Sequence, residues 1–200
     1  SQIRTQTMLF AQSLLPAKPL TAQAQEQAKN PATPVTLEYN PLLTPDGSAI
    51  KPVNTDFSLV VPRIGINAPI VANVDAAEPA LYQDALKKGV AHAATSYLPN
   101  QNGTVYLFSH STNYEWYVKD INAIFYLLKN LDPGDVIIIM YQNIRYTYEL
   151  REKKVVASSD VSYIKPRFGK KQLILQTCWP PGTTISRLLL FADLVDEKQL

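Results

Sequence analysis

From residue 57 onward the sequence is a succession of short apolar runs separated by turn-forming residues, and this rhythm restricts the folds available. The runs have the length and the β-branched or aromatic content of strands. They occupy residues 57–62, 64–71, 103–108, 136–141, 144–151, 173–178 and 187–192. Many short strands without a repeating strand–helix–strand alternation predict a mostly β domain that closes as an antiparallel barrel.

Helices and turns are indicated at fewer places. Residues 79–88 predict a short helix, because Pro79 suits a first turn and Gly89 follows the last lysines as a C-cap does. Apolar residues at helical spacing predict a second, amphipathic helix over 114–130 whose aromatics belong to the core. Gln142-Asn143 can close a tight hairpin, and the pairs Lys153-Lys154 and Lys170-Lys171 predict solvated turns.

The composition changes near residue 56. Residues 1–56 hold seven of the 15 prolines and show little strand periodicity. We expect this segment to be a tether, partly laid over the domain formed by residues 57–200. The chain starts at Ser1 and has no apolar run of 18 residues, which we interpret as a chain trimmed of a natural N-terminal membrane anchor.

Composition excludes several classes of function. The formal net charge is +2 and no dense run of lysine or arginine occurs, so neither a nucleic-acid surface nor a polybasic membrane patch is expected. The single cysteine, Cys178, excludes an internal disulfide and a cysteine-rich metal site, and no cofactor is expected. A hydrophobic content of 46% is sufficient for a sizeable core.

Three side chains at the ends of strand-like runs form a catalytic pattern: Cys178, His110 and Arg187. A thiol with its ordinary pKa near 8.5 is only about 3% thiolate at neutral pH, so a nucleophilic cysteine requires a base or an ion-pair partner. An imidazole supplies this and can later protonate a leaving amine. A permanently charged guanidinium can stabilise the oxyanion of the tetrahedral intermediate. The pattern predicts acyl transfer through a cysteine.

The spacing makes a shared site plausible. A strand, the eight-residue loop 179–186 and a second strand would return Arg187 to the level of Cys178 if the two strands pair antiparallel. Pro180-Pro181 stiffens that loop and Gly182 permits its turn. His110 would have to come from a neighbouring strand.

These segments resemble the sortases, the cysteine transpeptidases of bacterial cell surfaces. The resemblance rests on the strand end Leu175-Gln176-Thr177-Cys178, on Arg187 in the next strand, and on the run from Gly103 to Ser111, which contains His110. Further matches in the family's order lie at residues 59–64, 85–92 and 125–135, so the resemblance covers 57–195. The chain differs from the usual motif at Leu175, which replaces a threonine, and at Gln176, which replaces a small or branched residue.

The resemblance implies a closed eight-stranded sortase-like β-barrel with two or three short helices. It assigns Cys178 as nucleophile, His110 as general acid/base and Arg187 as stabiliser of the oxyanion or substrate, with Thr177 as a candidate substrate-binding residue. Cys178 would cleave a Leu-Pro-x-Thr-Gly-like sorting signal through a thioacyl enzyme, and the 158–171 connection would shape the peptide groove.

The same resemblance implies partners and a location. An amine acceptor, either a lipid-linked cell-wall precursor or a pilin lysine, would resolve the thioacyl enzyme and so anchor or polymerise surface proteins. The enzyme would act at the extracytoplasmic face of a bacterial cell membrane, held there only by an N-terminal anchor. His92 matches a histidine common in the family and is expected to be structural, because one base satisfies the mechanism.

Other interpretations remain. A papain-like protease has its cysteine before its histidine, the reverse of the order here, and caspases need a strand–helix alternation that is missing. A metal site from Cys178, His110 and His92 would require further carboxylate ligands. The alternatives left open are a non-enzymatic barrel module that binds surface peptides, and a thiol protease whose thioacyl intermediate is resolved by water.

Overall fold

The computed structural model describes residues 42–111 and 121–200, and within these ranges the strands close into one barrel. Its strands are β1 Phe57–Val61, β2 Ile66–Val74, β3 Val90–Ala93, β4 Thr104–Phe108, β5 Val136–Tyr141, β6 Ile144–Ala157, β7 Gln172–Trp179 and β8 Ser186–Gln199. They are ordered β1-β2-β3-β4-β7-β8-β6-β5 around the barrel. The mostly β, closed eight-stranded fold is confirmed.

Two of the pairings are parallel, which the sequence rhythm did not predict. Strand β2 pairs in parallel with β3 from Ile70↔Val90, and β4 pairs in parallel with β7 from Thr104↔Gln172. The other strand neighbours pair antiparallel. Parallel neighbours need a crossover, and the first crossover contains the helix α1, Pro79–Lys88.

The helices partly follow the sequence signals. Helix α1 has the predicted bounds and ends at Gly89, whose N–H bonds the Ala85 carbonyl at 3.1 Å. The second predicted helix is described only over Ile121–Asn130, where it is a 3₁₀ helix; its residues 114–120 lie outside the described ranges. Phe125 and Leu128 on this helix are fully buried in the core, as expected. Two shorter 3₁₀ segments are Pro62–Ile64 and Ser162–Ile164.

The β5–β6 hairpin forms as predicted. Gln142 and Asn143 both adopt left-handed backbone angles, with φ of 51° and 61°, which suit a two-residue turn between twisted strands. The interpretation of Lys153-Lys154 as a solvated turn is wrong, because both residues lie within β6 and pair with Leu190 and Leu189 of β8. The long β8 supplies partners along the whole of β6, which overrides the local polarity.

The barrel wall has two apolar faces, and the outer one positions the site. Side chains alternate along a strand, so Leu173 and Leu175 of β7 enter the interior core while Ile174 faces outward. The outer cluster also contains Tyr106 of β4 and Leu86 of α1. Helix α1 packs against β2 and β3 and shares this outer apolar cluster with β4 and β7.

Residues 42–56 contact the barrel and belong to the same compact unit as it does. Leu42 and Ile50 pack against a cluster of Val60, Ile138 and Met140, and the Val53 N–H bonds the Asn67 side chain at 3.0 Å. The proposed division of the chain at residue 56 stays a prediction.

Candidate active site

Three strand ends meet at one edge of the barrel. Cys178 of β7 lies directly opposite Arg187 of β8 in the antiparallel register, as the spacing of the two residues predicted. On the other side of β7, Phe108 of β4 pairs in parallel with Gln176. His110 and Cys178 each lie two residues beyond that pair, so parallel pairing brings the imidazole and the thiol to the same level.

The predicted site residues line a common cavity of about 270 Å³. His110, Thr177, Cys178 and Arg187 all contribute to its wall. The remainder is partly apolar and comes from the outer face and α1: Ala76, Tyr82, Leu86 and Phe108. A concave site with an apolar wall and a few converging polar groups is typical of a binding cleft for a peptide or small molecule.

Cys178 is half-buried and is a free thiol. Its backbone carbonyl accepts a bond of 2.9 Å from the Ser111 hydroxyl, one residue after His110. The Ser109 N–H, one residue before His110, bonds the Gln176 carbonyl at 3.2 Å. These two bonds join the chain on both sides of His110 to backbone carbonyls of β7, the strand that carries the thiol, and so hold the two segments side by side.

The His110 ring lies against the cavity wall although much of the residue is exposed. Partial desolvation lowers the pKa of His110 below its usual value, because the low-dielectric wall disfavours the charged imidazolium. The imidazole therefore stays neutral to a lower pH than a fully solvated histidine and can accept a proton from a thiol.

Arg187 lies against the β7–β8 loop. Its Nη1 donates to the carbonyls of Thr184 and Ser186, each at 3.1 Å. The strands extend to Trp179 and from Ser186, so this loop is shorter than the sequence indicated. A guanidinium held by backbone carbonyls presents a fixed positive charge to the cavity.

Thr177 is almost fully buried, and its hydroxyl is already engaged. Its Oγ1 donates to the Ser109 carbonyl at 3.0 Å, which links β7 to the end of β4 beside His110. The assignment of Thr177 to substrate binding stays a prediction. The contact supports a positioning role instead, because the bond spans the two strands that carry the imidazole and the thiol.

We expect Thr177→Val to lower kcat/KM about tenfold and to destabilise the protein by roughly 1–2 kcal/mol, because the buried Ser109 carbonyl loses its donor. Thr177→Ser keeps the hydroxyl and should retain most of both properties. Steady-state kinetics and urea denaturation of the two variants measure this. Equal behaviour of Thr177→Val and wild type would show that the bond positions nothing.

His92 lies away from the cavity and is fully buried on β3. Its Nδ1 accepts the Asn73 N–H at 3.2 Å, which makes Nε2 the protonated nitrogen. Nε2 lies 3.0 Å from both the Tyr97 carbonyl and the Ser96 hydroxyl oxygen. Burial lowers the pKa of His92, so the ring is held neutral within the fold, and these contacts fit the expected structural role.

We expect His92→Ala to cost roughly 3 kcal/mol of stability, because it leaves buried groups unpaired, while most activity remains at temperatures where the variant is folded.

The lowered pKa of His92 in the wild-type protein also links stability to pH. Below about pH 6.5 the unfolded chain binds a proton at this histidine and the folded chain does not, so the free energy of unfolding falls as the pH falls.

Urea denaturation between pH 7.5 and 5 measures this pH dependence. His92→Gln should flatten the curve more than the matched variant His110→Gln, because His110 is the more exposed of the two rings. A larger flattening with His110→Gln would contradict the assignment.

Sequence reasoning missed several residues of the site. Tyr82 lies in no matched motif, and Ser111 and Leu86 lie in matched segments that gave them no role; only the tertiary contacts of the loop after β4 and of α1 place these residues here. Gln176 could have been predicted from the sequence. It departs from the motif of the family that the chain resembles, and it lies two residues before Cys178, where strand alternation makes both side chains face the same way. No group of three or more histidine, cysteine or acidic side chains suited to a metal ion occurs in the described ranges.

Comparison with known proteins agrees with this architecture. Residues 59–195 match the family model of the sortase domain. Sortase D of Bacillus subtilis is 31% identical over 140 residues, which is 68% of this chain and 62% of that protein. The chain thus spans less than two thirds of the length of this relative.

Solved structures share the fold. The Clostridium perfringens sortase D5 transpeptidase superposes with a TM-score of 0.57 at 22% identity, covering 74% of this chain and 82% of that one. A pilus-related sortase C of Group B Streptococcus gives a TM-score of 0.59 at 25% identity, covering 73% and 70% of the two chains. The eight-stranded barrel, the motif order and the match over most of the sequence lead to one conclusion: the chain belongs to the sortase family.

Proposed function

We propose that this protein is a cysteine transpeptidase that cleaves a Leu-Pro-x-Thr-Gly-like sorting signal and transfers the acyl part to an amine. The observation that carries the proposal is the convergence of Cys178, His110 and Arg187 on one cavity from three adjacent strands. Family membership supports it, since a sortase domain spans residues 59–195.

The first half of the reaction forms the thioacyl enzyme. His110 accepts the Sγ proton of Cys178, and the thiolate attacks the threonyl carbonyl of the signal. The Arg187 guanidinium stabilises the resulting oxyanion. As the tetrahedral intermediate collapses, the threonyl–glycyl C–N bond breaks and His110 gives its proton to the departing glycyl amine.

The second half reverses these roles. The acceptor amine gives a proton to His110 and attacks the thioester carbonyl, again against the Arg187 charge. The C–S bond breaks, a new amide forms, and the proton returns to the Cys178 thiolate. The proton and the thiol are regenerated, so no cofactor is needed for the cycle.

The acceptor is a lipid-linked cell-wall precursor or a pilin lysine, and the likeness to a pilus-related sortase C supports the second as a candidate. We place the enzyme at the extracytoplasmic face of a bacterial cell membrane, with residues 1–56 as the tether to an N-terminal anchor. Within the described part of the chain, no helix combines the length and apolar character needed to cross a membrane.

Incubation with a panel of fluorogenic Leu-Pro-x-Thr-Gly peptides, with and without a primary amine, tests the proposal. We expect cleavage whose product in the presence of amine is the new amide. Release of the free acid alone, whatever amine is added, would identify a thiol protease. Saturable peptide binding without cleavage would identify a binding module.

A further inference from the structure

On the outer face of β7 the side chain next to the nucleophile is polar. Side chains on this face belong to Gln172, Ile174, Gln176 and Cys178, because residues two apart point the same way. Ile174 is fully buried in the apolar outer cluster, whereas Gln176 is half-buried and lines the cavity. An amide group therefore lies on the cavity wall two residues before the thiol.

Tyr106 fixes one end of that amide. The Tyr106 side chain is 1% exposed, and its hydroxyl donates to Gln176 Oε1 at 2.6 Å. Burial raises the pKa of Tyr106 well above its ordinary value, so the phenol stays protonated and remains a donor at any working pH. A buried phenol without an acceptor would destabilise the fold. The amide of Gln176 is therefore held with its oxygen toward Tyr106.

The other end of the amide has no partner within the described ranges. With Oε1 turned to Tyr106, the Nε2 amino group points the other way, and it donates to no group among the described residues. Gln176 lies on the cavity wall with Cys178 and Arg187, so a bound molecule can reach these N–H groups. An oriented donor on the wall of a peptide cleft is suited to a carbonyl acceptor.

We propose that Gln176, oriented by Tyr106, is a specificity-determining residue that donates a hydrogen bond to a carbonyl of the acyl part of the substrate. The proposal rests on the proposed function, since it assumes that a peptide occupies the cavity. A strand rises about 3.3 Å per residue, which separates the Cα atoms of Gln176 and Cys178 by roughly 7 Å. A substrate extended along β7 then presents a backbone carbonyl one or two residues before the attacked bond.

A chemical double-mutant cycle tests the proposal. The enzyme change is Gln176→Leu, which keeps the approximate volume and removes the amide. The substrate changes are single replacements of one backbone amide by an alkene isostere, made at each position before the scissile bond of a cleaved peptide. Acylation kcat/KM is measured for every combination, together with the rate of Cys178 alkylation by iodoacetamide.

We expect Gln176→Leu to lower kcat/KM about tenfold on the natural peptide, the loss typical of one hydrogen bond. The loss should disappear for one isostere, because enzyme and peptide changes then remove the same bond. Tyr106→Phe should give a smaller loss that does not add to that of Gln176→Leu. Alkylation rates should stay within about twofold of wild type in both variants.

Gln172→Leu is the matched control, since Gln172 is on the same strand and its amide donates to Asp193 away from the cavity. It should leave kcat/KM unchanged. An equal effect of Gln176→Leu on every isostere, or no effect at all, would overturn the proposal while leaving transpeptidation intact. If wild type acylates with no peptide of the panel, the proposed function fails and this proposal fails with it.

Discussion

Replacement of Cys178 by alanine should abolish turnover of sorting-signal peptides, with a loss of at least about 1,000-fold in kcat. The reason is chemical, since no other cysteine exists in the chain and the acyl group then has no nucleophile to receive it. Continuous assays with a fluorogenic peptide measure the loss. Binding of the peptide should survive, because the cavity wall changes by a single sulfur atom.

The control for this result is the fold. Cys178 is half-buried at the end of β7, so the free energy of unfolding of Cys178→Ala should lie within about 1 kcal/mol of the wild-type value. A folded Cys178→Ala protein that still cleaves the signal would overturn the mechanism. A Cys178→Ser variant provides a second comparison, because its hydroxyl has similar size but is a far weaker nucleophile at neutral pH.

Replacement of His110 by alanine should lower kcat/KM about 1,000-fold, within the range expected when a general acid–base is lost. The same residue should control the acid side of the pH profile. Its lowered pKa means that the neutral imidazole persists as the pH falls, so the midpoint of the acid limb should lie below about 6.5. In His110→Ala this limb should disappear from the residual activity.

A His92→Gln variant separates this effect from a general response of histidine to acid. The wild-type His92 ring does not line the cavity, so the midpoint of the acid limb in His92→Gln should stay where it is in wild type. An acid limb that persisted in His110→Ala would mean that another group titrates in the reaction.

Local signals in the sequence were sufficient for much of the barrel. The apolar run 136–141 became β5 with unchanged bounds, and Gln142-Asn143 closed the hairpin because both residues tolerate left-handed angles. Helix α1 also kept its predicted limits. Each of these elements is specified by residues close together in the sequence, so short segments are sufficient to predict it.

The pairing of strands that are distant in the sequence could not be predicted from short segments. Strand β3 has only four residues, and its parallel pairing with β2 depends on α1 returning the chain to the same edge. The parallel contact of β4 with β7 joins residues far apart in the chain. Lys153 lies in β6 for a similar reason, since β8 pairs with it and the carbonyls of Lys129 and Leu131 accept its ammonium.

The same distinction between local and long-range signals applies to the candidate site. Cys178 and His110 each follow an apolar run and Arg187 opens one, so their placement at strand ends was predictable. That the three strands are neighbours was not predictable, because adjacency is set by the closure of the barrel. The hydroxyl contacts of Ser111 and Thr177 depend on that adjacency and leave no trace in the local sequence.

Intact-mass spectrometry of the enzyme after mixing with a peptide that it cleaves can detect the thioacyl intermediate on Cys178. We expect a mass increase equal to the acyl part of the signal through its threonine, located on Cys178 by peptide mapping and removed by an added amine. An unmodified enzyme during active cleavage, or an adduct on any other residue, would contradict the proposed mechanism.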